Sequence, residues 1–117
     1  MLHVPGHVKI FLYLEKVDMR KSFDGLSAIV EHVLQKDPLS GHLFVFRNRR
    51  GDRLKILYWS GDGYTIWYRR LEAGTFRFPV FNDQQQSVTV SATDLAMLLD
   101  GVDLASVRRG KRFRRSA

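Results

Sequence analysis

The chain predicts an α+β fold: one domain in which an antiparallel meander sheet of about five strands packs against one long amphipathic helix, with a short second helix near the C-terminus. Three observations lead there. Between His42 and Leu71, short apolar runs alternate with polar turns containing glycine, the signature of consecutive hairpins. Between Asp18 and Lys36, apolar residues recur at three- and four-residue spacing, as in a helix lying on a core. The length of 117 residues, 44% hydrophobic and 26% charged, suffices for one core and not two.

The elements follow in order. Val4-Pro5-Gly6-His7 reads as a turn and His7 to Leu14 as a strand. Asp18 is placed to cap a helix whose stripe is Phe23, Leu26, Val30 and Val33, widened by Met19, Ile29 and Leu34. Asp37-Pro38 stops it, because proline has no amide hydrogen and drives the preceding residue out of helical geometry. Three meander strands follow. Phe76 to Phe81 reads as a further strand, at an edge or strand end because it contains Pro79. The polar run Asn82 to Ser87 is a loop, and Val88 to Val90 adds a short strand. Ser91 and Asp94 have capping-box spacing ahead of Leu95, Leu98 and Leu99, with Gly101 as the stop and Val102 to Val107 as one more helical turn. This second helix is expected at an edge of the sheet.

Strand side chains alternate between faces, so turn lengths decide which residues share a side. A five-residue loop, Asn48 to Asp52, sets Arg47 opposite Arg53 on the side of Lys55. A two-residue Gly61-Asp62 turn would set Trp59 against Tyr64 and mix oily with basic positions. A three-residue loop, Gly61 to Gly63 with Gly63 left-handed, instead pairs Trp59 with Thr65 and Tyr58 with Ile66. Parity selects the longer loop. Arg53, Lys55, Trp59, Thr65, Trp67, Arg69 and Arg77 then share a basic face, and Leu54, Ile56, Tyr58, Tyr64, Ile66, Tyr68, Phe76 and Phe78 share the core face.

The net charge is +7, unevenly spread. Residues 108–117 hold Arg108, Arg109, Lys111, Arg112, Arg114 and Arg115, six of the 19 basic residues and none of the 12 acidic ones, leaving 13 against 12 elsewhere. The expected organisation is a globular unit over residues 1–107 and a disordered basic tail over 108–117. Local potential recruits phosphate more than total charge does, so the tail and the arginine hairpin are the places to look. No apolar run approaches the ~20 residues of a membrane span, and Val8 to Leu14 lacks the features of a secretory signal. The absence of cysteine excludes a disulfide scaffold and fits a cytoplasmic setting.

Catalysis finds little support. Asp18, Asp24, Asp52 and Asp62 are the tempting metal-binding carboxylates, but each suits a cap, a turn or a helix-surface pair. His3, His7, His32 and His42 form no ligand motif, and Ser22, Ser40 and Ser60 lie in turn or helix-start contexts without a nucleophile elbow. No cofactor or metal is expected.

Two segments, VDMRKSFDGL (Val17 to Leu26) and DPLSGHLFVFRNRRGDRLK (Asp37 to Lys55), resemble the small accessory protein usually called TnpB or Orf2 of the IS-sixty-six class of bacterial insertion sequences. Tyr58-Trp59, Gly61 to Tyr64 and Tyr68 to Glu72 extend the resemblance over roughly residues 5 to 104. It implies a part in transposition beside a larger transposase that performs strand transfer, together with a second small accessory protein. The RNA-guided nucleases that share the TnpB label are a different family.

The expected function is therefore non-catalytic DNA binding, to transposon ends or target. Its contacts would be Arg47, Arg49, Arg50, Arg53, Lys55, Arg69 and Arg70 of the sheet, with Arg108, Arg109, Lys111 and Arg112 of the tail. Trp59 and Trp67 would serve as a stacking or partner surface, unless they are core. The alternative is a protein–protein adaptor for the transposase or the other accessory protein, without DNA contact and with self-association as a dimer in reach.

Overall fold

The computed structural model describes residues 4–79 and 84–101. Strands β1 (Ile10–Lys16), β2 (Leu43–Arg47), β3 (Arg53–Trp59), β4 (Tyr64–Arg70) and β5 (Ser87–Val90) form one sheet in the order β4-β3-β2-β1-β5. The expected number of strands is present, and β2-β3-β4 is an antiparallel meander. The sheet as a whole is mixed, however, because β1 and β2 run parallel. The cause is the helix between them: a strand–helix–strand crossover returns the chain to the same end of the sheet, which makes the neighbours parallel.

That helix is also shorter than its apolar period suggests. α1 spans Phe23–Ala28 and widens into a π-turn over Ile29–Val33, where Leu34 N–H donates to the Ile29 carbonyl at 3.0 Å. Asp18 does not cap it. Its carboxylate accepts the Arg20 amide at 2.9 Å and the Arg20 guanidinium at 2.7 Å, closing a turn that keeps residues 18–21 out of the helix. At the other end Gln35 takes a left-handed φ of +53° two residues before Asp37-Pro38.

Both hairpins differ from expectation by one residue. β2 and β3 set Arg47 opposite Leu54 and Phe46 opposite Lys55. β3 and β4 set Trp59 opposite Tyr64, with Ser60 N–H donating to the Gly63 carbonyl at 2.9 Å, so the connection is the two-residue Gly61-Asp62 turn. Gly61, not Gly63, carries the positive φ, +101°, as the first central residue of a II′-type turn must.

The slip is permitted because both faces of this sheet are covered. Ile10, Leu12, Val45, Leu54 and Ile56 pack with Phe76, Phe78 and Leu95, Leu98 and Leu99 of α2 (Ala92–Leu99). Phe11, Tyr13, Phe44, Phe46 and Leu57 pack on the opposite side under Leu26 and Val30. A sheet with two oily sides has no basic face to conserve, and α2 is a second cover rather than an edge element. The capping box is as expected: Asp94 N–H donates to Ser91 Oγ at 3.0 Å, and Ser91 N–H to the Asp94 carboxylate at 3.2 Å. Residues 75–79 are not a strand, although Phe76 and Phe78 are buried as expected. The remainder of the expected Phe76 to Phe81 strand, the Val102 to Val107 turn and the tail lie outside the described residues.

Candidate nucleic-acid interface

The turn between β2 and β3 is built as a rigid tip. Gly51 N–H donates to the Asn48 carbonyl at 3.1 Å, leaving Arg49 and Arg50 as the two central residues, and Gly51 takes φ +78°. The Asn48 side chain braces it twice, accepting the Arg53 amide at 3.0 Å and donating to Asp52 at 2.8 Å. From below, Phe76 N–H donates to the Gly51 carbonyl at 2.7 Å and Leu71 N–H to the Asp52 carbonyl at 2.8 Å. A Cβ on Gly51 would lie 3.3 Å from that of Thr75, so the tip sits hard against the strand-exit segment.

Facing the tip is the β1–α1 connection. Together they enclose an open cleft of about 480 Å³ lined by Lys16 to Met19 and by Asn48, Arg49, Arg50, Asp52 and Arg53. The far wall is held by Lys55, whose ammonium donates to the carbonyls of Met19 and Lys21, each at 2.8 Å. The acids are engaged by neighbours. The Arg20 guanidinium hydrogen bond pulls the Asp18 carboxyl down to about 2, and the Asn48 amide, helped by the charges of Arg50 and Arg53, holds Asp52 below its ordinary value. The two ion pairs among the described residues are Arg20–Asp18 and Arg70–Glu72, so Arg49 and Arg50 stand exposed and outside any such pair.

The expected site residues divide. Arg49, Arg50 and Arg53 meet at the cleft, joined by Lys16, and Arg70 adjoins Arg53 in a shallow neighbouring groove with Tyr68 and Glu72. The expected single basic face does not exist. Lys55 is only 7% exposed and lies under α1 with its ammonium satisfied, while Arg69 is on the opposite side, donating to the Leu99 carbonyl at 3.1 Å. Arg47 also takes that opposite side, half-buried and stacked 4.2 Å over the Phe78 ring. Burial lowers its pKa. Trp59 meets Tyr64 edge-on on one face while Trp67 packs against the core of the other, so they form no common platform. Tyr68, expected in the core, is 47% exposed. Arg108, Arg109, Lys111 and Arg112 lie outside the described residues.

Sequence reading missed Lys16, and it placed Asn48 in the arginine hairpin without its bracing role. The signal available was that the segments carrying the family resemblance, Val17 to Leu26 and Asp37 to Lys55, supply most of the two walls of one cleft. Among the described residues no three histidine, aspartate or glutamate side chains converge as metal ligands, and no helix is long and apolar enough to cross a membrane.

The described residues thus form a mixed sheet covered on both faces, with a braced arginine tip at the β2–β3 turn. The chain belongs to the family described as IS66 Orf2 like protein, which it matches over residues 8–109. It is 36% identical over 102 residues to the uncharacterized protein y4jC of Sinorhizobium fredii, covering 87% of this chain and 86% of the relative. A second protein of that organism, the uncharacterized y4hO, is 35% identical over 103 residues, covering 88% of each. No solved structure matches.

Proposed function

We propose that this insertion-sequence accessory protein is a non-catalytic DNA-phosphate binder whose contact point is the Arg49-Arg50 tip, flanked by Lys16 and Arg53. The observation that carries this reading is the pairing of rigidity with availability. The tip backbone is tied by Asn48, Gly51 and the exit segment of β4, yet its two guanidiniums form no ion pair among the described residues. A braced backbone with unpaired guanidiniums leaves only side-chain entropy to be lost when the arginines grip phosphate bidentately.

Arg49, Arg50, Lys16 and Arg53 hold phosphates of transposon DNA, the basic tail adds unspecific attraction, and a separate transposase performs strand transfer. Few base-reading side chains flank the tip, so affinity is dominated by counterion release and only weakly dependent on sequence. The test is fluorescence anisotropy of a labelled duplex titrated with the isolated protein at low salt. Binding without any added protein supports the reading; duplex binding that appears only after the transposase is added would move the protein to the adaptor class.

A further inference from the structure

The outer edge of β4 points to a second binding surface, which goes beyond the phosphate reading. Hydrogen-bonded and non-bonded pairs alternate along an antiparallel ladder. The Ser60–Gly63 bond at 2.9 Å and the Leu71–Asp52 bond at 2.8 Å set the phase. In that phase the backbone groups of Thr65, Trp67 and Arg69 face β3, and those of Tyr64, Ile66, Tyr68 and Arg70 face outward. Among the described residues no strand lies on that side.

Exposed edges are ordinarily blunted by brevity, proline, a bulge or a charge near the middle of the strand. β4 has none of these: it runs seven residues in unbroken register, has no proline, and carries charge only at its end, in Arg69 and Arg70. Tyr68, 47% exposed, stands on the same strand.

We propose that β4 pairs antiparallel with β4 of a second copy of this chain, about a two-fold axis through Ile66. The occupant follows from charge complementarity. With Ile66 opposite Ile66 of the partner subunit, Arg70 ends beside the hairpin turn of the partner subunit, within a long side chain's reach of Asp62 of the partner subunit, whose own contact is the Ser60 hydroxyl at 3.4 Å, and two-fold symmetry forms that pair twice. Tyr68 falls opposite Tyr64 of the partner subunit, and no two arginines face each other. Arg70 can supply this contact because its present partner, Glu72, is an exposed acid held at 3.3 Å, a pair easily exchanged. The result is a continuous ten-stranded sheet with β5 at both ends and the two arginine tips, each between β2 and β3, pointing in opposite directions along the strands.

Sedimentation equilibrium of the full chain without DNA tests this independently of the phosphate reading. The expected mass is twice the 13.6 kDa of one chain. Asp62→Arg or Arg70→Asp alone weakens association by about tenfold or more, because each brings like charges together at both symmetry-related contacts. Asp62→Arg combined with Arg70→Asp restores it. A wild-type chain that stays monomeric into the submillimolar range overturns the proposal, with no variant needed. So does a dimer indifferent to both single changes, or one that the double change fails to restore.

Discussion

Trp59 stands directly opposite Tyr64 across the β3–β4 ladder, its ring edge-on to the tyrosine with 5.2 Å between centroids and 78° between planes. This pair marks the register of the hairpin, and the register places Lys55 and Arg69 on different sides of the sheet. It rests on Gly61 at φ +101°, a backbone state that a side chain resists. Gly61→Ala should lower stability by about 1–2 kcal/mol. Gly63→Ala, at a position without positive φ and with nothing within 4 Å of the added Cβ, should stay within about 0.5 kcal/mol. Urea midpoints of the two variants check this, and the reverse order would restore the three-residue loop.

Lys55 makes a second prediction. Its ammonium is nearly buried and donates to two carbonyls of the β1–α1 connection, so the methylene stem packs while the charge holds the loop. Lys55→Met keeps the stem but leaves both carbonyls without that donor. A loss of about 2–3 kcal/mol is expected, with faster amide exchange around Met19 to Ser22. Unchanged stability and exchange would show that the loop holds itself.

Asp18 supplies the pH prediction. Its folded pKa, about 2, lies below the ordinary 3.8, so its pairing with Arg20 favours the folded state above about pH 4. That contribution is lost as pH falls through about 2. Carboxyl-carbon NMR should place the Asp18 midpoint near the lower value in the wild type and back in the ordinary carboxylate range in Arg20→Ala. An unmoved midpoint would mean that the ion pair is not formed in solution.

The meander, the second helix with its Ser91–Asp94 cap, and the burial of Phe76 and Phe78 could all be read from residue order, because turn residues, caps and apolar period are local signals. Two things could not. The parallel neighbour β1 depends on where a crossover returns, and the strand registers depend on whether a second cover lies on the other face. Phe44, Val45 and Phe46 are all buried, the mark of a strand oily on both sides, and that run was the clue against a one-sided sheet. Once both sides are core, alternation no longer says which basic residues gather. The turn arginines were legible because a tip is exposed whichever register the strands adopt; Arg47, Lys55 and Arg69 were not, since each follows its strand.

The most direct measurement of the central claim is the slope of log binding constant against log salt for duplex DNA, wild type beside Arg49→Ala/Arg50→Ala. Each phosphate contact contributes about 0.9 to the slope, so the double change should flatten it by about 2 while weakening binding alike across sequences. A slope unchanged by removing both arginines, or no duplex binding at low salt, would contradict the account.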